Sequence, residues 1–239
     1  MKSIFGFIFF ILAAGQIWAG PGIKIVPDSI FFGTVPRESN FYAKIVLKST
    51  GTAPLRIDSI QTICPCIKIP FNKGILSPGD SIILPISYNS ESNIGQRNRF
   101  PHFYTNASDK PALLGVLSFV VSEPENLYPL CVRPYRISAS QFGKKEVKNF
   151  TFYIVNKSGE NMPLKLLYWD NEYYMVDFPS YVPPRDSVRG MIKLNNRGVA
   201  NEFENSLTFE YINELDERKT YSIPIVRKRF NVEPEAQTK

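Results

Sequence analysis

Histidine is almost absent from this chain. Its 239 residues include one, His102, together with three cysteines, four methionines and two tryptophans. Nucleophilic catalysis usually needs a base beside a serine or cysteine and a third group to orient that base, and here there is little to build it from. No Gly-x-Ser-x-Gly elbow and no phosphate-cradling glycine loop occurs. The adjacent carboxylates Glu202 with Glu204, and Asp216 with Glu217, sit in polar stretches that read as solvated loops rather than as glycosidase acids. No catalytic residue, no cofactor-binding residue and no cofactor is expected, so the chain reads as a protein other than an enzyme. A strong charge of one sign is missing too: 28 Lys and Arg against 22 Asp and Glu give +6. The basic clusters Lys144–Lys145, Arg218–Lys219 and Arg227–Lys228–Arg229 carry no interleaved aromatics, which argues against a nucleic-acid partner.

Long apolar runs are confined to the start. Residues 1–19, MKSIFGFIFFILAAGQIWA, place one lysine before an apolar stretch from Ile4 to Ala14 and end on small residues, the layout of a secretory signal peptide cut after Ala19. The run is short of the roughly 20 residues that span a bilayer, so no stable membrane insertion is expected after cleavage. Removing 19 of 239 residues leaves 220, and losing Lys2 brings +6 to +5. No cysteine follows the apolar run to take a lipid, so the mature chain is expected in the periplasm or outside the cell.

The rest is a succession of short β-type segments: IFFGTV (30–35), FYAKIVLKS (41–49), LRIDSI (55–60), SIILPISYN (81–89) and LLGVLSFVV (113–121). Period-two alternation rich in branched and aromatic residues predicts strands, and no helical stripe competes with it. In the second segment Ala43, Ile45 and Leu47 share one face. The fold class is all-β. A repeat of about 110 residues runs through the chain. Phe32–Gly33 aligns with Phe142–Gly143, Ser49 and Pro54–Leu55 with Ser158 and Pro163–Leu164, and Pro78–x–Asp80–Ser81 with Pro184–x–Asp186–Ser187. Two tandem β-sandwiches follow, over 20–125 and 126–231, with the break in VSEPENLYP and a frayed tail over 232–239.

The order FFGTV, LKSTGTAPLRI, TICPCIKI, SPGDSIILPISYN resembles the bacterial domain of unknown function 1573 over residues 25 to about 121. That resemblance implies an immunoglobulin-like sandwich akin to the major-sperm-protein and pilus-chaperone group, with no activity to carry over. The family pattern has Cys-Gly-Cys followed by threonine, where this chain has Pro65 and Ile67. The second copy lacks the cysteines, with Tyr173 and Met175 at the aligned places.

Cys64 and Cys66 are the one close pair of soft ligands. Alternate residues of an extended strand lie roughly 6.5–7 Å apart, at or beyond disulfide reach, so a bridge between them needs a turn. Three readings stand: buried small residues or pairing of one with Cys131, a strained redox disulfide, and a soft-metal site such as copper(I) completed by a methionine or His102. The burial reading leaves the chain with no metal. Four Asp-Ser pairs, at Ser29, Ser59, Ser81 and Ser187, resemble a periplasmic O-glycosylation motif, and equally suit loop-to-strand junctions. The leading functional expectation is a binding or scaffold protein of the bacterial cell envelope whose partner is another envelope or secreted protein. Its expected contacts lie in NEYYMVDFPSYVPP and RFPHFYTN, at Tyr173, Tyr174, Tyr181, Phe103 and Tyr104. The alternatives are a redox or copper-handling protein using Cys64 and Cys66, and a carbohydrate-binding accessory module.

Overall fold

The structure, a computed structural model, describes residues 20–71, 73–143 and 146–230. The expected leader, the tail over 232–239 and the Lys144–Lys145 cluster fall outside the described residues. The first half holds β1 (Ile23–Val26), β2 (Ser29–Pro36), β3 (Asn40–Ser49), β4 (Leu55–Gln61), β5 (Ile67–Lys68), β6 (Gly74–Leu76), β7 (Ser81–Asn89), β8 (Gly95–Arg99), β9 (His102–Thr105), β10 (Ala112–Leu113) and β11 (Gly115–Val121). The second holds β12 (Leu130–Arg133), β13 (Ile137–Ser138), β14 (Gln141–Phe142), β15 (Asn149–Asn156), β16 (Met162–Tyr168), β17 (Tyr174–Asp177), β18 (Tyr181–Val182), β19 (Ser187–Leu194), α1 (Asn196–Ala200), β20 (Phe203–Ile212), β21 (Arg218–Arg227) and β22 (Arg229–Phe230).

Alternation explains the layers. Along β3, Phe41, Ala43, Ile45, Leu47 and Ser49 are buried while the residues between them face outward, as a strand with one face on a core requires. The order β1-β3-β7-β5 in the first half recurs as β12-β15-β19-β17 in the second. Facing these layers stand β6, β4 and β9 in the first half and β18, β16, β20 and β21 in the second. In each half an early strand runs parallel to a late one, β2 to β11 and β13 to β21. Each half encloses its own core, one from Ile25 to Val120 and one from Leu130 to Ile225. The chain is therefore all-β, two immunoglobulin-like sandwiches in tandem.

The repeat is real, but some of the sequence identities that suggest it are not structural equivalences. Lys48 pairs with Ser81, and Val155 pairs with Ser187. The Asp-Ser matches thus hold, yet they set Ser49 against Asn156, two residues before Ser158. The carbonyls of Asp80 and Asp186 accept from Ser49 N and Asn156 N at the same 2.9 Å. Likewise Phe32 is fully buried, whereas Phe142 is 65% exposed against Phe230. Turn chemistry recurs because turns need similar residues, and alternating strands match equally well when slid by two.

The domains do not simply follow one another. β2 of the first domain lies between β11 and β21 in one sheet, with Thr34 opposite Tyr221 in parallel. Glu204, Ser206 and Thr208 of β20 and Ser222 of β21, which a lone sandwich would present to water, face the first domain. Ser206 Oγ accepts from Tyr42 N at 2.8 Å, Ser222 Oγ donates to Phe32 O at 2.7 Å, and Thr208 and Ser222 hydroxyls bond at 2.6 Å. Lys44 adds ion pairs to Asp170 at 3.7 Å and Glu172 at 3.4 Å. The two tandem sandwiches thus meet in a shared sheet with a polar, buried junction.

Two tyrosines tie the second core to pH. Tyr174 and Tyr221 are buried, and burial pushes both phenols well above their ordinary value. Tyr174 Oη donates to Ser206 O at 2.7 Å. In the unfolded chain both ionise near pH 10, while the fold holds them neutral. Their contribution is therefore complete below pH 10 and is lost as pH rises past it, at about 1.4 kcal/mol per residue per unit. Urea midpoints at pH 9 and pH 11 are expected to fall accordingly, and Tyr174→Phe is expected to flatten the slope.

Candidate functional site

The Cys-Pro-Cys segment leaves the strand ladder between β4 and β5. Ile63 adopts φ +62°, a left-handed conformation that a β-branched residue rarely takes, and Ile67 N donates back to Cys64 O at 3.3 Å. This turn brings the two Cα atoms to 5.2 Å, and Cys64 and Cys66 form a disulfide. Cys131 is free and fully buried on β12, beside Val155. The structure thus pairs the two cysteines with each other and with neither end to Cys131.

The bridge borders a cavity of about 420 Å³ lined by Asn40, Pro65, Cys66, Lys68, Ser87, Asn89 and Glu204. The last of these comes from the second domain. Asn89 Nδ2 donates to Asn40 Oδ1 at 2.7 Å, Asn40 Nδ2 donates to Glu204 Oε2, and Lys228 Nζ stands 2.9 Å from Glu204 Oε1. Lys228 and, after it, Asn40 hold the Glu204 carboxyl below the usual range, against burial that pushes it up. Glu204 had read as a loop carboxylate beside Glu202; it lies instead within β20, on the face toward the first domain. Glu91, two residues past β7, carries φ +57°, and its N–H donates to Asn89 Oδ1 at 2.9 Å. Its carboxylate oxygen and both sulfurs lie within 4.8 Å of one another. His102 belongs to a different place, on β9 with its ring edge toward Tyr104. The soft-metal reading thus loses His102. In the bridged state the two sulfurs have no thiolate to offer a cation, and the third group beside them is Glu91.

Several expected contact residues are core. Phe103 and Tyr174 are fully buried, Tyr173 packs on Phe203 at 4.8 Å, and Tyr104 is half-buried. Aromatic residues fill sandwich interiors as readily as they mark interfaces. Tyr181 alone of the five is exposed, at 55%. An exposed apolar face that sequence reasoning missed lies on the shared sheet. Phe31 and Phe119 are 51% and 52% exposed there, and with Leu117 they line one hollow of about 190 Å³. Phe31 also walls a second, of about 370 Å³, completed by Leu167, Tyr168, Glu210, Arg218 and Thr220 of the second domain. In IFFGTV the continuous apolar run hid which phenylalanine faced out. Of the Asp-Ser pairs, Ser29, Ser81 and Ser187 each open a strand, Ser59 sits within β4, and Ser81 and Ser187 are exposed.

Residues 23–120 match the family described as "Protein of unknown function (DUF1573)". The match takes in nearly all of the first sandwich, a DUF1573-like domain. No curated protein matches the chain in sequence. Among solved structures, a protein of unknown function from Porphyromonas gingivalis W83 is 10% identical, covering 85% of this chain and 99% of its own, with a TM-score of 0.34. The periplasmic chaperone SfaE is 11% identical over 87% and 100%, with a TM-score of 0.33. The PapD-like domain 7 of human CEP192 is 10% identical over 51% and 98%, with a TM-score of 0.37. The bridge belongs to the DUF1573-like domain only. In the second sandwich Asn195 N donates to Tyr173 O as Asn89 N does to Cys66 O, so Tyr173 replaces Cys66, and Met175, paired with Lys193 as Lys68 is with Ser87, replaces Lys68. Among the described residues no helix is long and apolar enough to cross a membrane.

Proposed function

We propose that the chain is an exported, non-enzymatic binding module that holds a partner protein of the bacterial cell envelope against the outer face of its shared sheet. The observation that carries this reading is Phe31, half-exposed between two hollows, one on the DUF1573-like domain and one built mainly by the second domain. An apolar face of this kind costs free energy to leave in water, about 25 cal/mol per Å², and contiguous exposed apolar surface commonly marks a binding site. The junction beneath it holds both domains in one register, so a ligand meets a preformed surface and loses little in ordering it. Photocross-linking residues placed at Phe31 and Phe119 are expected to capture one discrete envelope protein in the native host, and a probe at Ile75, still more exposed on β6, is not. Identical products from all three positions, or none, would overturn the reading. N-terminal sequencing of the same preparation tests export, with Gly20 expected first.

A further inference from the structure

The Cys64–Cys66 bridge is poorly explained as a staple. A disulfide stabilises chiefly by closing a loop in the unfolded chain, and the chain-entropy relation gives a three-residue loop about 1.6 kcal/mol, near the bottom of the range. The molecule also contains its own control: the second sandwich builds the equivalent turn around Tyr173, with the same backbone hydrogen bond to Asn195, and no bridge. What the bridge does have is access and chemistry. Cys64 is half-buried between exposed Ile63 and Pro65, whereas Cys66 is 6% exposed and lines the cavity. Cys66 N–H donates to Cys64 Sγ at 3.1 Å, a bond that steadies negative charge on that sulfur. Glu91, with its own backbone in a left-handed conformation, sets a carboxylate beside both sulfurs. Strained backbone on either side of a reactive group is the pattern of a functional site.

We propose that Cys64–Cys66 is a thiol–disulfide exchange site that oxidises a protein dithiol. One partner thiol gives its proton to Glu91, and the resulting thiolate attacks Cys64 Sγ. The partner–Cys64 bond forms, the Cys64–Cys66 bond breaks, and Cys66 leaves with the electron pair and takes the proton from Glu91. The partner's second thiol then gives its proton to Glu91, its thiolate attacks the partner sulfur of the mixed disulfide, and Cys64 is expelled as a thiolate steadied by Cys66 N–H that takes that proton from Glu91. Two electrons pass to the chain, which ends as a dithiol, and the partner ends as a disulfide. The change is stoichiometric, involves a different face from Phe31, and does not depend on the binding reading above.

The full folded chain tests this, first unmodified. Dithiothreitol, a small 1,4-dithiol, is expected to reduce the bridge at least tenfold faster than the protein unfolds, with Cys131 staying unreactive until unfolding. Oxidised glutathione is then offered to single variants. Cys66→Ser, which keeps Cys64, is expected to accumulate a mixed disulfide at least tenfold faster than Cys64→Ser, and Glu91→Gln in the unmodified pair is expected to slow dithiothreitol reduction about tenfold. A bridge that reduces only as the protein unfolds would show a buried structural link and overturn the proposal, as would equal labelling of the two cysteine variants. If either serine variant fails to fold, the comparison of reduction with unfolding in the unmodified chain still decides.

Discussion

Replacing Gly33 by alanine is expected to destabilise the chain by about 4 kcal/mol, among the largest effects of any single change here. Two independent costs meet at this residue. Its φ of +63° lies where an L side chain is strained, and a Cβ built there would lie 2.0 Å from the Thr220 carbonyl oxygen and 2.1 Å from its hydroxyl. Thr220 is on β21, so the contact is the crossing between the two domains, and neither backbone can yield without parting Thr34 from Tyr221. Gly143 separates the two costs, since its φ is +68° and no atom lies within 4 Å of the Cβ position. Gly143→Ala is expected to cost only about 1 kcal/mol, the conformational part alone. Urea denaturation of both variants checks the difference, with the Gly33 variant also expected to broaden or split the transition as the domains uncouple.

The second large effect is expected at Arg227. This residue is fully buried at the end of β21, with Nη1 donating to Ala139 O at 2.8 Å and Nη2 to Gln141 Oε1 at 3.0 Å and Val199 O at 2.8 Å. Burial, and next the neighbouring Arg229, pull its guanidinium below the ordinary arginine range. A planar group with donors in a fixed fork reaches three acceptors that a methionine leaves unpaired and dry. Arg227→Met is expected to cost about 4 kcal/mol despite the gain in apolarity. Arg227→Lys, which keeps a charge but has only a single nitrogen, is expected to recover less than half of that. Thermal and urea midpoints test the order, and hydrogen exchange at Ala139 N, bonded to Val226 O at 2.8 Å, reports whether β13 loosens first.

Arg227 also shows what the sequence could reveal. It reads as one member of a basic cluster, Arg227–Lys228–Arg229, and so as solvated charge. The alternation Tyr221, Ile223, Ile225 places it on the inward face, and that period was there to be followed one step further. Strands, sandwich class and the two cores were legible because each depends on local alternation. The turn at Cys-Pro-Cys was legible as a requirement, since only a turn could bring the sulfurs together; the left-handed Ile63 that supplies it was not, because the residue type argues against that conformation. The shared sheet left almost no trace. A strand face covered by another domain through hydroxyls, Ser206, Thr208 and Ser222, has the same small polar residues as one covered by water. Asn40 and Glu91 escaped notice, and Glu204 read as loop charge, for a related reason: each is unremarkable alone and acquires meaning only from what the fold sets beside it.

The position of β2 carries a consequence for biosynthesis. Its far edge is closed by β21, the last long strand to be made, so a nascent DUF1573-like domain emerges with an unpaired strand edge that waits for nearly all of the second domain. Until the second domain is in place that open edge is a template for pairing with other chains. Gly33, with no side chain at the crossing point, and Pro36, with no amide hydrogen to offer, make that edge a poor template until Thr220 arrives to cover it.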